Sequence, residues 1–161
     1  MATTTKQKTA AAAVIATLIA IPAEGLRQVA YYDPPGVLTV CFGSTTNVEK
    51  GRVYSLDECK QRLNQDMLRA VEQVNKCAPN LPVETLAAFS DAAYNLGPKI
   101  ACDIKSSTAA RLLAAGELKL ACEQLTKWDK ARIAGVLVAL PGLTKRRAAE
   151  RELCLKGVSN V

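Results

Sequence analysis

Glu24, Asp33 and Thr39 combine side chains and intervals that suit acid–base chemistry. Eight residues separate the two carboxyl groups, and five separate Asp33 from the Thr39 hydroxyl. Paired carboxyl groups are the minimum equipment for cleaving a glycosidic bond. One protonates the leaving oxygen, and the other attacks the sugar or activates water. A threonine hydroxyl can hold such a water. Taken alone, two acids at this separation also describe a solvated surface pair. The chain contains no histidine. That removes Ser-His-Asp triads, Cys-His dyads and His-ligated zinc, and it leaves proton transfer to Asp, Glu, Lys, Tyr or Cys.

The elements that must position these groups fit one domain of 161 residues. Lys and Arg total 21 against 15 Asp and Glu, a net charge of +6 that favours anionic partners. One Trp, four Tyr and two Phe do not interleave with basic clusters, so a nucleic-acid stacking surface is not expected. The six cysteines, Cys41, Cys59, Cys77, Cys102, Cys122 and Cys154, contain no C-x-x-C pair. A dispersed, even set reads as disulfides formed in an oxidising compartment. Six buried thiols in a cytosolic protein are the alternative, and six cysteines allow fifteen connectivities. No metal or organic cofactor is implied.

Residues 9–23, TAAAAVIATLIAIPA, are uncharged and follow Lys6 and Lys8. A basic stretch before an apolar run is the pattern of an export signal. The cleavage site before Glu24 is poor, since Ile21-Pro22-Ala23 lacks the paired small residues. As a helix, the run spans about 22 Å, short of a ~30 Å hydrocarbon core. It would sit marginally in a bilayer. A cleaved signal and a buried N-terminal helix are the other readings.

Further along, Glu24 to Tyr31 is expected to continue a short helix, broken by Pro34-Pro35-Gly36. Two or three short strands are expected between Ala30 and Tyr54. Ser55-Leu56-Asp57-Glu58 is a capping box, and Leu56, Cys59, Leu63, Met67, Ala70 and Val74 then form one apolar face ending near Lys76. Asn80-Leu81-Pro82 opens a helix that Gly97 stops. Short helices are expected from Ser106-Ser107 to Gly116 and from Glu117 to Trp128. Pro141-Gly142 should break the chain, with Thr144 capping a last helix that Gly157 ends.

The E-x8-D-x5-T pattern at Glu24, Asp33 and Thr39 resembles that of the phage lysozymes, glycoside hydrolase family 24. Tyr94-Asn95-Leu96-Gly97 resembles the Y-N-x-G segment of that family. Trp128 followed by Leu140-Pro141-Gly142-Leu143-Thr144-Lys145-Arg146-Arg147-Ala148-Ala149-Glu150-Arg151-Glu152-Leu153 resembles its W…PGL-x-x-R-R-x-x-E-R-E-L region. The resemblance implies an α+β, lysozyme-like fold: a small antiparallel sheet lobe and a mainly helical lobe, preceded by an N-terminal apolar helix. It also favours the pairs Cys41–Cys59, Cys77–Cys102 and Cys122–Cys154. Where the family often carries Gly-His-Thr, this chain has Gly43-Ser44-Thr45. The Ala-rich run is similar to the signal-anchor-release element of lambdoid-phage endolysins. That implies a division into an anchor, 1–23, and a muramidase domain, 24–161. The anchor would hold the protein transiently at the host inner membrane and release it, uncleaved, to the periplasm.

The implied function is hydrolysis of the β-1,4 bond between N-acetylmuramic acid and N-acetylglucosamine by a monomer acting on peptidoglycan glycan strands. Glu24 takes the role of general acid, which an apolar, partly desolvated setting supports; Leu26, Val29 and the end of the export segment are placed to provide it. Asp33 stays ionised and directs water held by Thr39. Arg146, Arg147, Glu150 and Arg151 read as salt bridges on a helix surface, and Asn95 and Trp128 as structural. A non-catalytic envelope-binding or lysis-accessory module and a lytic transglycosylase are the competing readings.

Overall fold

An alanine stripe decides how the first element packs. In the computed structural model, which describes residues 4–161, helix α1 spans Thr5–Ala23 and starts from a reciprocal capping box between Thr4 and Gln7. Ala12, Ala13, Ala16 and Ala20 are fully buried. Side chains this small let the α1 backbone approach its neighbours closely: helix α2 (Leu56–Cys77), helix α3 (Val83–Leu96) and helix α7 (Pro141–Ser159). Val14 and Leu18 lie on the opposite, exposed side.

The expected continuation of a helix through Tyr31 does not occur. Glu24 takes an extended conformation (φ −96°, ψ 136°) and closes α1 by donating its N–H to the Ala20 carbonyl at 2.8 Å. Strand β1 (Arg27–Tyr32) follows instead and pairs antiparallel with β2 (Leu38–Cys41), with Tyr31 opposite Thr39. Pairing with β2 satisfies backbone groups that a lone helical turn would leave open, and the aromatic and β-branched residues of β1 suit a pleated surface. The connecting turn needs Gly36 at φ +84°. A third strand is reduced to one bridge between Val29 and Val53.

Helix α2 begins at the Ser55–Glu58 capping box and buries Cys59, Leu63, Met67, Ala70 and Val74, whereas Leu56 is 43% exposed. Helix α3 is buried on all sides from Thr85 to Ala93, and Gly97 at φ +87° ends it. Helices α4 (Lys99–Cys102), α5 (Thr108–Ala114) and α6 (Leu118–Gln124) follow. The helix expected to reach Trp128 gives way to a 3₁₀ turn at Leu125–Lys127. A hairpin then forms that the residue pattern did not suggest, β3 (Lys130–Ile133) with β4 (Val136–Ala139).

Pro141 starts α7 rather than breaking the chain, because the first helical turn needs no proline N–H. Thr144 does not cap this helix; its hydroxyl donates to Asp129 Oδ2 at 2.8 Å. Nor does Gly157 end it. A Cβ there would stand 2.6 Å from Thr85 Oγ1 and 2.8 Å from the Thr85 nitrogen, so glycine permits α7 to cross α3 at close range. Three disulfides join β2 to α2 (Cys41–Cys59), α2 to α4 (Cys77–Cys102) and α6 to α7 (Cys122–Cys154). Loops of this length are worth ~2–4 kcal/mol each.

Gly157→Ala must push α7 off α3, because one of the opposing atoms is backbone. Overpacking of this kind costs about 1–3 kcal/mol. The variant should show a matching fall in guanidinium midpoint, while Gly142→Ala, which meets nothing within 4 Å, should stay near wild type.

Candidate active site

The end of α1, the middle of α3 and the start of α7 converge on one guanidinium. Arg146 is 5% exposed. Its Nε and Nη2 fork onto Asp91 of α3 at 2.9 and 2.8 Å, and its Nη1 donates to Glu24 Oε1 at 2.6 Å. Glu150, one turn along α7, lies 3.8 Å from Arg146 Nε and accepts from Arg147 Nη2 at 2.6 Å. Asp91, Arg147 and Glu150 are fully buried. Burial raises the Arg146 requirement for anions, and Asp91 and then Glu24 hold its guanidinium well above its ordinary value. Arg147 is pulled down, chiefly by desolvation.

This corrects the expectation of a salt-bridged helix surface for Arg146, Arg147 and Glu150. Arg151 alone fits it, bidentate on a half-exposed Glu123 at 2.6 and 2.7 Å. Charges three and four apart give the same pattern whichever face of a helix is buried. The missed signal was Asp91, an acid inside the apolar run Leu86-Ala87-Ala88-Phe89-Ser90-Asp91-Ala92-Ala93. A carboxylate there requires a buried cation.

The surroundings of Glu24 match expectation only at the end of α1, where Leu18, Ile19, Pro22 and Ala23 line an apolar space beside it. Leu26 and Val29 are 41% and 50% exposed and give it no apolar wall. The Glu24 side chain is 25% exposed and bound to a cation. Tyr94 closes the other side. Its hydroxyl donates to the Phe42 carbonyl at 2.7 Å, tying α3 to the end of β2. Burial, then the Glu24 carboxylate, push the phenol far above its ordinary value. Gly43 passes so close that a Cβ would stand 3.6 Å from Tyr94 Oη and 4.0 Å from Glu24 Oε2.

Asp33 and Thr39 meet across the first hairpin. Asp33 Oδ1 accepts the Val37 N–H at 2.7 Å, and Oδ2 lies 3.4 Å from the buried Thr39 hydroxyl. That hydroxyl has a closer acceptor in the Val37 carbonyl, at 3.0 Å. No hydrogen bond joins Glu24 to either residue among the described residues. The two halves are linked through β2, which runs from Thr39 to the Phe42–Gly43 segment against Tyr94. Ser44 keeps the turn beyond it by exchanging both backbone hydrogen bonds with Val40 at 2.9 Å. The ring that the family often carries there is not needed for that pairing.

Two cavities meet at Glu24. One, of 470 Å³, is lined by Phe42, Gly43, Thr46, Arg69, Gln73 and Tyr94. The other, of 590 Å³, is more apolar and is lined by Leu18, Pro22, Leu140, Leu143 and Lys145. Glu24 and Asn95 wall both, and Asn95 Oδ1 is buried without a hydrogen-bond partner. A carboxyl group held rigidly between two substrate-sized spaces can deliver a proton to a bond that crosses from one to the other. No group of three potential metal ligands occurs among the described residues.

Comparison with known proteins places this geometry among relatives. Residues 22–150 match the phage lysozyme family. The chain is 38% identical to the SAR-endolysin of bacteriophage PS119 across 83% of this chain and 77% of the relative. It is 35% identical to the SAR-endolysin of Pseudomonas phage phiKMV across 91% and 89%. Among solved structures, the muramidase domain of SpmX from Asticaccaulis excentricus superposes with a TM-score of 0.78 at 27% identity, over 88% of this chain and 95% of that one. The active form of P1 phage endolysin Lyz gives 0.74 at 25% identity, over 89% and 84%. The fold is therefore lysozyme-like α+β, mostly helical with small antiparallel sheets.

The buried cluster makes stability depend on pH. Glu150 is pushed up to about 10 from 4.5, by burial first and by the adjacent Asp91 carboxyl next. A carboxyl group raised in this way binds a proton on folding, so its contribution is complete below about pH 4.5 and is lost as pH climbs towards 10. Guanidinium titrations should show stability declining across that window, and Glu150→Gln, which has no proton to lose, should flatten the decline. Asp91→Asn strands a buried guanidinium and should cost about 3–5 kcal/mol.

Proposed function

The chain belongs to the phage lysozyme family, and from that premise we propose how its residues divide the work. The protein is an endolysin: a muramidase that hydrolyses the β-1,4 bond between N-acetylmuramic acid and N-acetylglucosamine in peptidoglycan and so lyses the bacterial host. Glu24 is the general acid. The observation that carries the assignment is its fixed carboxyl group between two cavities, held by Arg146, which itself borders the more apolar one. Asp33 stays ionised and orients the attacking water, and Thr39 holds that water by giving up its bond to the Val37 carbonyl. A water-activating carboxylate makes the reaction inverting.

Residues 1–23 act as a releasable signal-anchor, and 24–161 form the muramidase domain of a monomer. The protein is exported, resides transiently in the host inner membrane through residues 9–23, and then passes to the periplasm. Relatives named SAR-endolysins support this reading. No helix of the described residues is long and apolar enough to cross a membrane. In lipid, α1 cannot lend its alanine stripe to α2 and α3, and Glu24, which closes α1, is kept from Arg146. Release and completion of the site are then one event.

Glu24→Gln should lower the clearing of purified peptidoglycan by about 10²–10⁴-fold with folding intact. Near wild-type clearing would move the acid elsewhere. Asp33→Asn and Thr39→Ala should be severely impaired, and product masses should show hydrated rather than anhydro-muramic ends. The anchor is tested separately. Ala12, Ala16 and Ala20 are buried in the fold and unsuitable for the purpose, but Ala10 and Ala11 are exposed. Ala10→Leu with Ala11→Leu adds roughly 1–2 kcal/mol of apolar burial per residue in lipid. The double variant should stay in the inner-membrane fraction and delay lysis while the purified enzyme keeps its activity. A periplasmic form beginning near Glu24 would show a cleaved signal instead.

A further inference from the structure

The β3–β4 hairpin is amphipathic and unpartnered. Its register sets Ala131 opposite Val138 and Ile133 opposite Val136, so these four side chains share one face. Lys130, Arg132, Leu137 and Ala139 share the other. The Ala134–Gly135 turn has both residues at positive φ, 49° and 81°, the geometry that lets a two-residue loop keep the strands' twist. Among the described residues, no third strand joins the pair. Ile133, Val136 and Leu137 are 52%, 62% and 57% exposed. A two-stranded hairpin gains little stability by itself in water, and a run of exposed β-branched and leucine side chains marks an interaction site.

The apolar surface continues beyond the hairpin. Leu140 and Leu143 form one wall of the groove whose other wall is Leu18, Ile19 and Pro22 of α1. Charge identifies the occupant. From Lys130 to Ala149 the chain contains no acidic residue. Lys127, Lys130, Arg132 and Lys145 are exposed, Asp129 accepts the Thr144 hydroxyl, and Glu24, which shares the groove with Lys145, is paired with Arg146. We propose that the β3–β4 hairpin docks the folded protein on an anionic phospholipid surface. A bilayer interface uses both faces of the hairpin at once. The apolar face and Leu137 enter the acyl boundary, while the Lys and Arg stems reach back to the headgroups. A protein partner would cover one face and leave the other wet. Docking of this kind is independent of the anchor segment: it belongs to the folded state, in which the alanine stripe of α1 is buried, and it keeps the Glu24 groove beside the membrane.

The test uses the purified full-length protein and sedimentation with vesicles, either phosphatidylglycerol with phosphatidylcholine in equal parts or phosphatidylcholine alone. Binding is expected to the first and not to the second, and to weaken as salt rises. Val136→Ser with Val138→Ser, and separately Arg132→Glu, should each reduce binding roughly tenfold with unfolding midpoint and peptidoglycan clearing unchanged. As a second readout, Val136→Trp should show a blue-shifted emission on the anionic vesicles. Equal binding by wild type and hairpin variants would assign the contact to α1 and overturn the proposal. So would an unshifted Val136→Trp emission, or a hairpin-dependent dimer in light scattering, which would make the occupant a second copy of the chain.

Discussion

Arg146 sits in the interior with a carboxylate on either side of its guanidinium, and the arrangement of the helices follows from keeping it there. A cation removed from water costs several kcal/mol unless its donors are met with good geometry. Asp91 meets two of them in a planar fork and Glu24 meets a third. Those partners come from α3 and from the end of α1, and the cation comes from α7. Three helices distant in sequence therefore have to arrive together. The alanine stripe of α1 and the absent side chain of Gly157 both act to bring α1 and α7 against α3. Small residues and a buried charge serve one geometric end: a carboxyl group fixed in place at the cleft.

The sheet side of the site is organised by hydrogen bonds of a weaker kind. Asp33 is held by a backbone N–H within its own hairpin turn, and Thr39 by a carbonyl two residues away. Strand β2 carries that pair towards Glu24, and the Tyr94 hydroxyl fastens its far end to α3. The halves of the site thus have different stiffness. Glu24 is clamped through the interior, whereas the Asp33–Thr39 pair rides on a two-stranded sheet with an exposed edge. Movement is easier at the hairpin than at Glu24.

The active surface and the outer surface are built from adjacent residues. Pro141 begins the helix that delivers Arg146, and the strand just before it ends in exposed Val136-Leu137-Val138. The disulfide Cys122–Cys154 ties α6 to the far end of the same helix. A hairpin with little cohesion of its own is thereby mounted on a rigid support, next to the groove that Glu24 walls.

Much of this could be read from residue types and spacing, because the signals were local. The Ser55–Glu58 box and the apolar repeat of α2, the stop at Gly97, the turn at Pro34-Pro35-Gly36 and the Glu24, Asp33, Thr39 spacing all depend on neighbours a few residues away. What escaped depended on partners far along the chain. Glu24 to Tyr31 became a strand because β2 was there to pair with it. Gly157 looked like a helix stop and is a contact point, since only α3 reveals the need for a missing side chain. Arg146 looked solvated because a charge pattern does not say which helix face turns inward, and Asp91 supplied that answer from 55 residues away. Side-chain chemistry and short-range periodicity were enough for the helices' apolar faces and the basic balance, and they singled out Glu24, Asp33 and Thr39 as candidates. Only the tertiary structure decided which charges lie in the interior and what holds the acid, because the cost of burying a charge is set by the partner that meets it.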